Sequence, residues 1–178
     1  MIDTVPKTIT PSIRAFCASI APGVPGFIRC KPDKDARPSE CFDNVSRKFA
    51  RAGGSAVNGW AIWTVPALYH EAEHHGVWCD RSRELVDVTP QPRAPRRILF
   101  LRDDEATYDP ASFRSNVLHP ASDDPLAIEF ATLGNRRNAI QDAYRECGNR
   151  LALFTISDQR QLGLINQRLQ VIWKQVIG

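Results

Sequence analysis

Apolar residues recur along this chain with two periods. Cys41, Val45, Phe49 and Ala52 fall at i, i+4, i+8 and i+11, one stripe of a helix that Gly53 and Gly54 stop. Ser39 is the predicted N-cap, with Glu40 in the first turn, which sets Cys41 on the buried side of that helix at its positive end. Four runs rich in Val, Ile, Trp and Leu follow, at 56–63, 71–78, 84–89 and 97–102, joined by connections too short for crossover helices. Short connections predict an antiparallel meander. Residues 103–124, acidic at first and then marked by Asp-Pro and His-Pro turns, predict a long loop. Two amphipathic helices are expected to finish the chain, at 125–147 and 158–177. The second has Ser157 as its predicted N-cap and carries Leu162, Ile165, Leu169, Ile172, Trp173 and Val176 at near-helical spacing.

Ahead of residue 39 both periods fail. Pro6, Pro11, Pro22, Pro25, Pro32 and Pro38, with Gly23 and Gly26, exclude a long helix or a central strand, so this stretch is expected to wrap the core as an ordered arm with one short helix at 11–20. The expected organisation is a single compact α+β domain: a Pro-rich arm (1–38), a core (39–124) and a C-terminal helical region packed on it (125–178). At 178 residues and 43% hydrophobic content the chain can fill such a core.

Charge changes little in this picture. Residues 1–102 carry 15 Lys/Arg against 10 Asp/Glu, and 103–178 carry 8 against 10, a bias too mild to argue for nucleic acid. Arg93, Arg96, Arg97 and Arg102 are followed at once by Asp103, Asp104 and Glu105, which predicts a mutually screened surface. The five cysteines (Cys17, Cys30, Cys41, Cys79, Cys147) form no CxxC pair, and their odd number leaves at least one free, as suits a reducing cytosol. The N-terminus lacks the basic start and apolar core of a signal peptide, and no apolar run approaches the ~20 residues that span a bilayer. The expectation is a cytoplasmic protein with no membrane partner; delivery by a specialised secretion system would leave no trace of this kind.

Chemistry changes the picture most. Cys41 begins the predicted helix, His74 and His75 lie on the second predicted strand, and Asp87 lies on the third. A helix N-terminus favours thiolate, a histidine takes the thiol's proton, and a carboxylate orients that histidine, so Cys41, His75 and Asp87 together can make a nucleophile. A hairpin centred on Arg81 pairs residues whose numbers sum to 162, which sets His75 opposite Asp87, with Cβ atoms about 5 Å apart. His74 then points to the other face, and a slip of one residue would exchange the two histidines.

The order and layout resemble the transglutaminase-like core of the papain-like cysteine enzymes. The residues that carry the likeness are Cys41, Phe42, Asp43, Asn44 and Val45, then His75, Gly76, Val77 and Trp78, then Leu85, Val86, Asp87, Val88, Thr89 and Pro90, within 38–102. The resemblance implies a nucleophile helix packed on an antiparallel sheet, a Cys-His-Asp catalytic triad and no cofactor. The implied activity is acyl transfer on an amide or peptide bond through a thioester: a peptidase, amidase or deamidase, or, with an amine acceptor, a transglutaminase or acyltransferase. The substrate is then a protein, a peptide or a small amide.

No glutamine closely precedes Cys41, so its backbone N–H is the first oxyanion donor, with Asn44, Asn58 and Trp60 as candidate second donors. His74 and Glu73 stand beside the site. Glu71 and Glu73 also suit a solvated strand face, and Trp60, Trp63 and Trp78 suit a core. Two other readings use the same residues. Cys30, Cys41, His70, His74, His75 and Cys79 are potential zinc ligands of a metal-binding module, although the spacing is dense at one end alone. An inactive papain-like scaffold that binds protein is the third. The pattern sets no oligomeric state.

Overall fold

In the computed structural model, which describes residues 4–112, 114–146 and 150–178, the contacts cluster into two compact units, one of residues 4–63 and 73–108 and the other of 64–72 and 109–178. The first unit carries helices α1 (Pro11–Ile20) and α2 (Cys41–Ala52) and strands β1 (Gly26–Cys30), β4 (Leu85–Asp87) and β5 (Arg97–Arg102). Strands β2 (Ser55–Val65) and β3 (Tyr69–Cys79) form a hairpin that runs through both units. In the second lie β6 (Val117–Pro120), α3 (Pro125–Asp142), the two-residue strands β7 (Arg145–Glu146) and β8 (Arg150–Leu151), and α4 (Ile156–Val176).

The sheet is mixed, not the antiparallel meander expected. Its order through the first unit is β2-β5-β1-β4-β3, and pairing of β2 with β3 closes it into a small barrel. The difference comes from β1, a central strand inside the stretch expected to be an arm. Pro25 and Pro32 bracket Gly26–Cys30 without entering it, so every strand N–H remains available to the ladder. β1 pairs antiparallel with β5 (Ile28 with Ile98, Gly26 with Phe100) and parallel with β4 (Cys30 with Asp87). The expected helix of this stretch does form, with Thr10 Oγ1 accepting from the Ile13 N–H as its cap.

Register fixes which side chains share a face. Residues paired across strands point to the same side. Ala61 pairs with Phe100, Ile98 with Ile28, Cys30 with Asp87 and Leu85 with Cys79, so all of them, together with Val77 and His75 at alternate positions of β3, line the inside of the barrel. Val57, Val77 and Phe100 form one inner cluster and Ala61, Trp63 and Ile98 another, with Ile28 packed against both. On the outer face Val86, Val88 and Trp78 pack against Val45 of α2.

The second unit is built around β6, which lies in the stretch expected to be loop and pairs with the start of β3 (His70 with His119, Ala72 with Val117). Leu68, Tyr69, Leu118, Phe130, Ile165, Leu169 and Ile172 form its core. Asn135 on α3 bonds both the N–H and the carbonyl of Leu118, which ties helix to strand. The helix α3 ends at Asp142, short of the expected 147; Cys147 lies outside the described residues. Thr155 caps α4 in place of Ser157, with its Oγ1 accepting from the Asp158 N–H at 3.2 Å. Among the described residues no helix is long and apolar enough to cross a membrane.

Candidate active site

Cys41 is the first helical residue of α2. Glu40 occupies the N-cap position, and Ser39, the expected cap, has φ 62°, in the left-handed region, one residue too early to cap the helix. As the first residue of the helix, Cys41 has a backbone N–H with no intrahelical acceptor, and its thiol stands at the positive end of the helix dipole. Cys41, Asn44 and Val45 are the buried positions of α2, whereas Phe49, placed on the apolar stripe by its spacing, is half exposed.

Asn44 anchors the first turn. Its Oδ1 accepts from the Arg37 N–H at 2.9 Å, and its Nδ2 donates to the Arg37 carbonyl and to Thr89 Oγ1, just beyond the end of β4. The N-terminus of α2 is thereby held at the edge where β4 stops, beside Asp87.

The hairpin that carries His75 and Asp87 is centred on Ser82, not on Arg81: Cys79 pairs with Leu85 and Trp78 with Val86. The turn is the reason. Asp80 Oδ1 accepts from the N–H groups of Ser82 and Glu84, the Asp80 N–H donates to the Glu84 carbonyl, and Arg83 adopts φ 67°, so the loop takes five residues, Asp80 to Glu84. Moving the centre by a whole residue keeps parity, and His75 stays on Asp87's face as a diagonal neighbour. His75 Nε2 lies 3.2 Å from Asp87 Oδ1, with His75 2% exposed and Asp87 fully buried. Cys41 is the second side chain that hydrogen-bonds His75. Burial on its own would pull the imidazole's pKa down; the hydrogen bonds and charges of Asp87 and Cys41 outweigh it and hold His75 well above its ordinary range.

Asp87 is held on both oxygens. Oδ1 also accepts from the Thr89 N–H at 3.0 Å, and Oδ2 accepts from Gln91 Nε2 at 2.8 Å and faces the Cys30 thiol at 3.9 Å. Burial, then the charge of Asp87 and the hydrogen bond to it, push the Cys30 thiol up to about 12, so Cys30 is a protonated donor and not a nucleophile. Burial alone raises Cys17 to about 11.

Trp60 Nε1 donates to Asp103 Oδ2 at 2.8 Å, Asn58 accepts from the Asp103 N–H through its backbone carbonyl, and Glu73 Oε2 accepts from Trp63 Nε1 at 2.7 Å. His74 is on the outer face. Its Nε2 lies 2.8 Å from the Ala106 carbonyl oxygen, and its ring stands against Phe42 and Trp60. Tyr108 stacks on Phe42 with ring centroids 4.0 Å apart, and this contact, with the bonds of Trp60 to Asp103 and of His74 to Ala106, holds residues 103–108 beside α2. Of the potential zinc ligands, Cys79 Sγ faces the Asp80 carbonyl, and His70, in the second unit, has Nδ1 2.9 Å from Thr64 Oγ1. Among the described residues no group of three or more His, Cys, Asp or Glu side chains is arranged to hold a metal ion.

Gln91, Thr89 and Cys30 are the partners of Asp87 that sequence reasoning did not find. The signal for Gln91 is its place between Pro90 and Pro92, four residues after the carboxylate. Cys30 carries none, because it reaches Asp87 by pairing across 57 residues. No family model, curated protein or solved structure matches the chain.

Proposed function

We propose that this protein is a cysteine-dependent acyl-transfer enzyme that opens an amide or peptide bond through a thioester, with the Cys-His-Asp arrangement of the transglutaminase-like, papain-like enzymes. The observation that carries the proposal is His75, which is bonded on one side to the thiol at the start of a helix and on the other to a carboxylate with no solvent exposure.

In this reading His75 takes the proton of the Cys41 thiol. The sulfur attacks the carbonyl carbon, the Cys41 N–H is one donor to the oxyanion, and His75 gives its proton to the departing amine as the C–N bond breaks. Water or an amine, deprotonated by His75, then attacks the thioester and releases the acyl group, and the proton it gives up restores the imidazolium. Asp87 holds the ring in one orientation throughout. The acceptor is chosen by the cleft, so hydrolysis and transfer share these steps.

The test is acyl trapping. Wild-type protein incubated with activated esters and electrophilic peptide amides should gain one acyl mass, mapped by digestion to Cys41 and absent in Cys41→Ala. Acylation at another residue, or equal acylation of Cys41→Ala, would remove the basis of the reading.

A further inference from the structure

We propose that Gln91 is a positioning residue: its side-chain amide locks the rotamer of Asp87 and so fixes the direction in which the carboxylate holds His75. The inference rests on the acyl-transfer reading above. An ionised carboxylate is an acceptor on both oxygens. Oδ1 of Asp87 serves His75 and the Thr89 N–H, and the carboxylate could still pivot about its Cβ–Cγ bond unless Oδ2 is also held. Of the two groups at Oδ2, the Cys30 thiol is a weak donor at 3.9 Å, whereas Gln91 Nε2 is a full amide donor at 2.8 Å.

The backbone prepares Gln91 for this task. Pro90 precedes it and Pro92 follows it, so both Thr89 and Gln91 are residues before a proline and are restricted to extended conformations. The Gln91 carbonyl also accepts from the Ala94 N–H at 3.1 Å in the turn that follows. The backbone of Gln91 therefore has little freedom left to lose, and ordering the amide on Asp87 costs side-chain rotamer entropy alone. A glutamine in this place is costly to replace by an apolar group, because the buried Oδ2 would lose its strong donor.

The experiment compares wild type, Gln91→Leu and Gln91→Glu by the pH profile of Cys41 alkylation with iodoacetamide, adducts mapped by mass, alongside melting temperature. Gln91→Leu has similar bulk and no donor. It should melt within a few degrees of wild type yet alkylate more slowly at pH 6, on the order of tenfold, the low end of what loss of an outer partner of a held imidazole costs. Gln91→Glu keeps the shape and donates only when protonated, so it should match wild type at acid pH and fall towards Gln91→Leu as pH rises and two carboxylates face each other. A Gln91→Leu profile that overlays wild type would overturn the inference, as would equal slowing of both variants at every pH. Wild-type Cys41 that reacts no faster than the other thiols would instead overturn the reading on which the inference rests.

Discussion

Asp87 is fully buried inside the barrel, where a polar group is tolerated only while its lone pairs are engaged. Its two oxygens meet an imidazole, a backbone N–H, an amide and a thiol. Asp87→Asn should therefore do more than remove a charge. The new amide would present an NH2 group where two donors now point, towards the Thr89 N–H and His75 or towards Gln91, and the imidazole would lose its orienting acceptor. Cys41 alkylation at neutral pH, followed by mass, should slow by two orders of magnitude or more, in the range seen when a triad histidine loses its tautomer, about 10⁴-fold. Equal rates for the two proteins would show that His75 is oriented by something else. At this scale the sequence was informative where the chemistry is ordered along a short stretch. Cys41 at a helix start and a His75/Asp87 pair of matched parity were legible, and parity survived the misplaced turn centre because the shift was a whole residue. The buried Asn44 was legible as a residue of α2 but not as its anchor, since Arg37 and Thr89 come to it from 7 and 45 residues away along the chain.

At the scale of elements, the link from α2 to β2 is a tight joint near the site. Gly54 has φ 87°, and a Cβ there would lie 2.2 Å from the Cys79 carbonyl oxygen and 2.9 Å from Trp78 Nε1; beside it, the Gly53 carbonyl accepts from that same Trp78 nitrogen. Gly54→Ala should thus cost about 2–4 kcal/mol, from a left-handed backbone and a backbone clash together, and lower the melting temperature by many degrees. A melting temperature within two degrees of wild type would mean that β2 and β3 can part at this point without penalty. The helix stop at Gly53 and Gly54 and the bounds of β5 were readable from local pattern. The strand β1 was not, because six prolines around it carried the local signal while its stability comes from β4 and β5, far along the chain. The same holds for β6, four residues in a turn-rich stretch that gain their strand character from pairing with Tyr69–Ala72.

For the whole molecule, the class, α+β with a helical C-terminal region, was legible in the sequence, and the closed mixed barrel was not. Barrel closure depends on β1 entering between β5 and β4, an arrangement set by contacts rather than by any period in the sequence. Closure also has a chemical consequence. It puts Cys30, His75 and Asp87 on one inner face, where water is excluded and the His75–Asp87 hydrogen bond is worth more than on an open sheet. The imidazolium so stabilised should persist above its ordinary range, while the thiols of Cys17 and Cys30 stay protonated at neutral pH. The most direct measurement is therefore competitive alkylation of the native protein with limiting iodoacetamide at neutral pH, each cysteine quantified by peptide mass, in wild type and His75→Ala. Cys41 should be modified ahead of Cys17, Cys30, Cys79 and Cys147, and this lead should disappear in His75→Ala. Preferential labelling of Cys79, or a Cys41 rate unchanged by His75→Ala, would contradict this.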